Sequence, residues 1–262
     1  MIVIRVDLRL TPSLAQAYHG PTQVARVLSE DWFAREGYCV SCLHRPVTRL
    51  ADNSIVADFR CSECSEPYQL KARAVPFGNI VADGAYRTFY SAVANGAAPN
   101  LLLLHYDRTR SEVVDLTSIH RKVLSPLSIL KRKPLATTAR RAGWVGCNLD
   151  LRSIPAGALI PIVRGGCPFD EGEVRAQWNR FSDLDDPARD VGWLRDTLTC
   201  IQRLDRSEFH LDDIYAFERD LFKLHPRNLH IRPKIRQQLQ VLCSKGLVER
   251  VRPGLYRTTG GK

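Results

Sequence analysis

Residues 56–71, VADFRCSECSEPYQLK, combine two cysteines, acidic residues and a lysine within one short stretch. It holds half of a four-cysteine pattern: Cys61 and Cys64 are spaced like Cys39 and Cys42 upstream, with 18 residues between the two pairs. Two CxxC pairs at such a distance let four thiolates meet at the corners of a tetrahedron, the geometry of a Zn²⁺ site. Disulfides compete for the same residues, but nothing in the chain points to an oxidising compartment. Four thiolates close the coordination shell, so the expected role of this zinc is structural. Cys147, Cys167, Cys200 and Cys243 share no spacing and are expected as core residues.

The stretch also carries Asp58 and, past the second cysteine pair, Gln69 and Lys71. If Ile55 to Arg60 and Tyr68 to Arg73 are strands, Gln69 and Lys71 share a face and strand pairing brings Asp58 beside them. Phosphodiester cleavage needs hard oxygen ligands for Mg²⁺ and a group that positions the attacking water. A carboxylate, an amide oxygen and an ammonium on adjoining strands supply those parts. On residue types alone, a surface lysine and a solvated glutamine on an edge strand fit equally.

Upstream of this stretch, Val24, Val27, Leu28, Trp32 and Phe33 recur at helical spacing and predict a helix from about Thr22 to Glu36. Ile2 to Leu10 reads as extended and Asp83 to Ala94 as helical. Asn100 to Tyr106 and Ala158 to Arg164 read as strands buried on both faces. Strands interleaved with helices predict an α/β (α+β) core with a mixed sheet. The polar segment FSDLDDPARD, 181–190, reads as a linker and divides the chain into 1–184 and 185–262. Beyond it, helical patterns cover Gly192 to Leu204, Leu211 to Leu224 and Leu229 to Lys245. Gly246 to Arg252, Pro253-Gly254 and Leu255 to Thr258 form a hairpin, which completes a winged helix-turn-helix.

The chain has 262 residues, 44% of them hydrophobic and 25% charged, enough for one large domain with a small companion. No run of 18 apolar residues is present, and Arg5, Asp7 and Arg9 stand where a signal peptide needs an apolar core. A cytoplasmic location with no membrane role is therefore expected. The net charge is +10 and 30 of the 38 basic residues are Arg. From Leu116 to Leu149 there are seven basic residues and no acid; from Lys223 to Lys262 there are ten against Glu249 alone. Those two blocks carry +16, which leaves the rest of the chain at −6. Two cationic blocks on an otherwise acidic chain read as two contact surfaces for a polyanion.

In the first block, Arg140, Arg141 and Trp144 are candidate DNA contacts: Arg grips phosphate or guanine, and Trp meets a base or a methyl group. A core Trp144 beside a solvated Arg pair is the competing reading. In the second, Ile231, Ile235, Leu239 and Leu242 form the stripe that must pack inward. The opposite face then presents Arg232, Lys234, Arg236 and Gln237, with Asn228 and His230 at the helix start, where a recognition helix enters the major groove. Arg250, Arg252 and Arg257 on the wing are expected to grip the backbone.

Taken together, LSEDWFAREGYCVSC, VADFRCSECSEPYQLK, DGAYRTF, KRKPLATTARRAGWVGCNLDL and HIRPKIRQQLQVL resemble, in order and over nearly the full length, the DpnI family of adenine-methylation-dependent type II restriction endonucleases. The resemblance implies a PD-(D/E)xK nuclease domain with an embedded zinc site, followed by a winged helix. It further implies Asp58, Gln69 and Lys71 as catalytic residues, with Asp58 and Gln69 as Mg²⁺ ligands. The implied partner is adenine-methylated duplex DNA, in that family methylated GATC read by both domains, with no obligate protein partner. The family pattern carries an acid where this chain has Gln69. That departure removes a negative charge and makes Glu30, Asp31 and Glu66 further candidates for the metal shell. It also leaves open a zinc-containing methyl-DNA-binding regulator whose nuclease site has decayed.

Overall fold

The computed structural model describes residues 6–51, 54, 57–182, 184 and 192–259. In chain order the strands of the first half are β1 (Thr48–Arg49), β2 (Phe59–Arg60), β3 (Pro67–Arg73), β4 (Ile80–Ala85), β5 (Asn100–Asp107) and β6 (Glu112–Ile119). Those of the second half are β7 (Ile129–Lys131), β8 (Gly146–Asp150), β9 (Leu159–Arg164), β10 (Cys167–Pro168), β11 (Glu208–His210), β12 (Val248–Arg252) and β13 (Leu255–Thr258). The helices are α1 (Pro21–Glu36), α2 (Tyr86–Ala94), α3 (Glu171–Ser182), α4 (Trp193–Arg203), α5 (Leu211–Tyr215), α6 (Glu218–Leu224) and α7 (Ile231–Ser244). No helix among the described residues is long and apolar enough to cross a membrane.

Two compact units interleave along the chain. The first comprises Met1–Gly78, Pro99–Arg121 and Ala158–Phe181; the second comprises Asn79–Ala98, Lys122–Gly157 and Ser182–Lys262. The sequence suggests one cut at 184/185, within a linker that lies mostly outside the described residues. The compact grouping adds 79–98 and 122–157 to the C-terminal segment. As a result, nearly all of both cationic blocks falls in the same unit.

The first unit is built on a seven-stranded mixed sheet of order β1-β2-β3-β5-β6-β9-β10, in which only the β3–β5 pairing is parallel. The unbroken run Leu101–Leu104 is buried throughout, as a strand covered on both faces demands. Helix α1 starts at Pro21, where a missing N–H costs nothing, and buries Leu28, Trp32 and Phe33. It ends at Gly37, whose N–H donates to Phe33 O at 2.9 Å. A Cβ there would sit 2.3 Å from that same oxygen, so glycine is sterically required.

The second unit contains the sheet β4-β8-β7, the sheet β11-β13-β12, and helices α2 and α4–α7. Asp83 to Ala85, expected as helix, belong to β4 because they pair with β8, and the helix starts at Tyr86. The expected helix Leu211 to Leu224 is broken between α5 and α6. Of the expected strand Ile55 to Arg60, Ile55 and Val56 lie outside the described residues, as do Ile2 to Arg5 of the extended start. The helical stripe of α7 is as expected: Ile231, Ile235, Leu239 and Leu242 are all buried. The β12–β13 hairpin, with Gly254 at φ +78°, forms the wing.

Candidate functional site

The four cysteines of the two CxxC pairs converge. The sulfurs of Cys39, Cys42, Cys61 and Cys64 all lie within 4.8 Å of one another. Cys39 Sγ is 3.4 Å from Cys64 Sγ, and Cys42 Sγ is 3.6 Å from Cys61 Sγ. A disulfide needs about 2.05 Å, whereas Zn–S bonds of about 2.3 Å set tetrahedral edges near 3.8 Å. The backbone repeats itself around both pairs. Leu43 N donates to Cys39 O at 2.7 Å and Ser65 N to Cys61 O at 3.0 Å. Leu43 and Ser65 both sit in the left-handed region, at φ 65° and 61°. Two non-glycine residues held there at the same offset from a cysteine mark two matching knuckles. The donor set and its spacing fit Zn²⁺.

Beside the knuckles, β3 carries Gln69 and Lys71, two of the three catalytic candidates. Asp58 lies in a bend just before β2; its N–H donates to Tyr68 O at 2.8 Å, and its Oδ2 accepts from Leu70 N at 2.8 Å. The carboxylate is thereby fixed to the strand segment between Gln69 and Lys71. Burial pushes the Asp58 carboxyl above the ordinary carboxylate range; the Leu70 N–H and the Lys71 ammonium pull it back, and Glu30 adds to the rise. Gln69 Oε1 is closed off from solvent.

The further candidate acids separate. Glu30, buried on α1, is the one near enough to Asp58 to perturb it. Its two oxygens are each 2.7 Å from a guanidinium, those of Arg26 and Arg49. Asp31 accepts from Thr11 and Arg35 instead. Glu66 binds Asn100 Nδ2 at 2.7 Å and Arg121 at 3.3 Å, which reserves it for structure. Hard oxygens from Asp58 and Gln69 are donors that suit Mg²⁺, whereas both Glu30 oxygens are taken by guanidinium partners.

In the first cationic block, residues 130–138 and 140–143 form an exposed run that includes Arg140 and Arg141. Trp144 is half-buried, with the Arg141 guanidinium 5.0 Å from its ring centroid. The ring lies over Gly146: a Cβ at that position would come within 2.8 Å of it. Gly146 therefore lets the indole lie against the start of β8, a relationship that neither residue reveals by itself.

In the second block, Arg232, Arg236 and Gln237 are exposed on the outer face of α7 and Lys234 is half-buried there. Asn228 Oδ1 accepts from His230 N at 2.8 Å, bracing the helix start. Arg232 is held 2.9 Å from Glu218, and it and Arg236 lie over the Tyr215 ring. Arg250 and Arg252 are exposed on the wing. Arg257 departs from expectation: it pairs with Glu208 at 2.7 Å and with Glu249 at 3.5 Å, so it ties the wing sheet together. The expected core placement holds for Cys147 and Cys200, but Cys167 is exposed on β10 and Cys243 is half-buried.

One cluster has no signal in the local sequence. Asp196, almost fully buried on α4, accepts from Ser125 Oγ at 2.7 Å and lies 2.8 Å from His225 Nε2 and 3.4 Å from Arg195 Nε. Ser125 belongs to the first cationic block and His225 immediately precedes the turn into α7. A buried carboxylate thus joins the segments that carry both surfaces.

Two family models match the chain. One described as the Dam-replacing family (DpnI) covers residues 6–186, and one described as the Dam-replacing HTH domain covers residues 189–258.

Proposed function

The chain belongs to the Dam-replacing family, and on that premise we propose that it is a Mg²⁺-dependent endonuclease cutting duplex DNA at adenine-methylated sites, with methylated GATC as the target. Membership carries the coarser statement, a methylation-dependent restriction nuclease with a DNA-binding helix-turn-helix domain. The observation that best supports the finer reading is the 2.8 Å bond from Leu70 N to Asp58 Oδ2, which sets a carboxylate against the strand bearing Gln69 and Lys71.

Asp58 and Gln69 would hold the ion. Mg²⁺, when bound, neutralises charge on the scissile phosphate and acidifies a coordinated water. Lys71 orients the attacking water, and burial around Asp58 strengthens every charge interaction at the phosphate. In-line displacement leaves a 5′-phosphate and a 3′-hydroxyl. Arg140, Arg141 and Trp144 read the DNA from the first surface. Asn228, His230, Arg232, Lys234, Arg236 and Gln237 read it from the second.

Gln69 favours a second reading, a zinc-containing regulator that binds methylated DNA without cutting it. Plasmids from methylating and non-methylating hosts, incubated with Mg²⁺ or with EDTA, separate the two. Cleavage confined to methylated plasmid with Mg²⁺ is expected; binding with no nick under any condition would establish the regulator.

A further inference from the structure

His105 and Asp115 form a pair on the same sheet as the catalytic candidates. His105 Nδ1 lies 2.8 Å from Asp115 Oδ2, and the other carboxylate oxygen accepts from Gly165 N at 2.9 Å. Both oxygens of Asp115 are therefore committed, and the imidazole ring is fixed with Nδ1 toward the acid and Nε2 away from it. The pair sits at an irregularity in the β5–β6 ladder, where His105 opposes Asp115 but Tyr106 opposes Val113. Bulges of this kind re-aim side chains and gather next to active sites.

The register places this pair. In the parallel β3–β5 ladder, Lys71 opposes Leu103 and Arg73 opposes His105. Side chains two apart share a face and opposed partners point the same way, so Gln69, Lys71, Arg73 and His105 lie on one face of the sheet. With about 6.6 Å along two residues and about 4.8 Å between strands, the Lys71 and His105 Cα atoms are about 8 Å apart. A lysine and an imidazole at that separation reach a common water.

We propose that His105, oriented by Asp115, is the general base of the cleavage reaction, taking a proton from the water that Lys71 positions. This rests on the nuclease reading above. As the water oxygen bonds to phosphorus, its proton passes to His105 Nε2. The P–O3′ bond breaks, the leaving 3′ oxygen takes a proton from solvent, and His105 returns its own proton to solvent. Lys71 is assigned to orient the water, and the step also needs a group placed to accept its proton. An imidazole whose first nitrogen is anchored to a carboxylate, with its second nitrogen turned away from that acid, is the arrangement that nucleophile activation uses on unrelated folds. The charged groups around the ring are Asp115 on β6, Asp107 on its own strand, Arg73 on β3 and, beside Asp115, Arg164 on β9. Asp115 is a positioning residue in this scheme.

The test is single-turnover cleavage of methylated duplex by the full chain with saturating Mg²⁺. His105→Gly and His105→Gln are expected to slow it at least about 100-fold. Duplex binding in Ca²⁺ should be retained, and added imidazole should restore His105→Gly at least tenfold while leaving Lys71→Ala inactive. His105→Gln at the wild-type rate, or a slow His105→Gly that imidazole leaves unchanged, would overturn the proposal. Asp58→Ala run in parallel keeps the two readings apart. If Asp58→Ala still cuts, the nuclease site itself lies elsewhere; if it is inactive and the His105 variants are unimpaired, only the base assignment fails.

Discussion

The Tyr68 hydroxyl lies 3.1 Å from Cys39 Sγ, in a fully buried contact that ties the cysteine cluster to β3, the strand bearing Gln69 and Lys71. The same residue accepts the Asp58 N–H through its main-chain oxygen at 2.8 Å. One side chain and one carbonyl thus join the metal knuckle to the carboxylate proposed to bind Mg²⁺. A hydroxyl donated to a zinc thiolate fixes the ligand's orientation, as outer partners of metal ligands commonly do.

Loss of zinc is therefore expected to unfold the first unit before it alters any chemistry. Cys61→Ala should lower the melting temperature by about 10 °C or more, since structural zinc supplies folding free energy directly. Tyr68→Phe should cost only about 1 kcal/mol, or about 2–4 °C, because it deletes one hydrogen bond and keeps the ring. Differential scanning fluorimetry with and without a chelator checks both. An unchanged Cys61→Ala melt with full cleavage would refute the structural role.

At the proposed Mg²⁺ site, Asp58→Ala and Lys71→Ala should each reduce cleavage at least about 100-fold while specific binding in Ca²⁺ survives. Gln69→Glu restores a charge and should hold activity or lower the Mg²⁺ concentration for half-maximal rate. A Mg²⁺ titration of nicking reads all three, and a higher Mg²⁺ requirement in Gln69→Glu would contradict the assignment of that oxygen as a ligand.

Gly146→Ala is expected to act at a distance of one side chain. The added Cβ would meet the Trp144 ring at 2.8 Å and displace it. A methyl contact is worth about 1–3 kcal/mol, or 10- to 200-fold in discrimination. Cleavage of methylated duplex should fall toward the unmethylated rate, with Trp144→Ala giving the same result. Competition between the two duplexes measures the ratio, and an unchanged ratio in both variants would remove Trp144 from methyl reading.

The Asp196 cluster predicts that the C-terminal segment is not an independent reader. Helix α4 is buried along Trp193 to Ile201, and Asp196 relies on Ser125 as well as His225. Asp196→Ala leaves Arg195 buried without its acid and should cost about 3–5 kcal/mol. Ser125→Ala should cost about 1 kcal/mol. A fragment beginning near residue 185 should be unstable alone, which chemical denaturation against the full chain tests. A fragment that unfolds cooperatively at the full-chain midpoint would contradict this.

Local pattern carried much of this architecture. The CxxC spacing located the four-cysteine cluster, and the Ile231, Ile235, Leu239 and Leu242 stripe located helix α7 and its buried face. What escaped is what only long-range pairing decides. Asp83 reads as the start of a helix until β8 is beside it. Nothing near Arg257 marks Glu208 as its partner, and nothing near Asp196 marks Ser125, 71 positions earlier. Glu30 stood out only as one of several acids; its burial beside Asp58 separates it from Asp31 and Glu66.

Both proposed reading surfaces and the proposed Mg²⁺ site serve one activity, methyl-directed cleavage by the full chain. Matched duplexes carrying N6-methyladenine on both strands, one strand or neither, cut in Mg²⁺ at fixed salt because phosphate contacts mask differences in affinity, test it most directly. Cleavage is expected to be fastest with both strands methylated, slower with one and slowest with none, and Asp58→Ala is expected to cut no duplex. Equal cleavage of the three duplexes would contradict methyl direction.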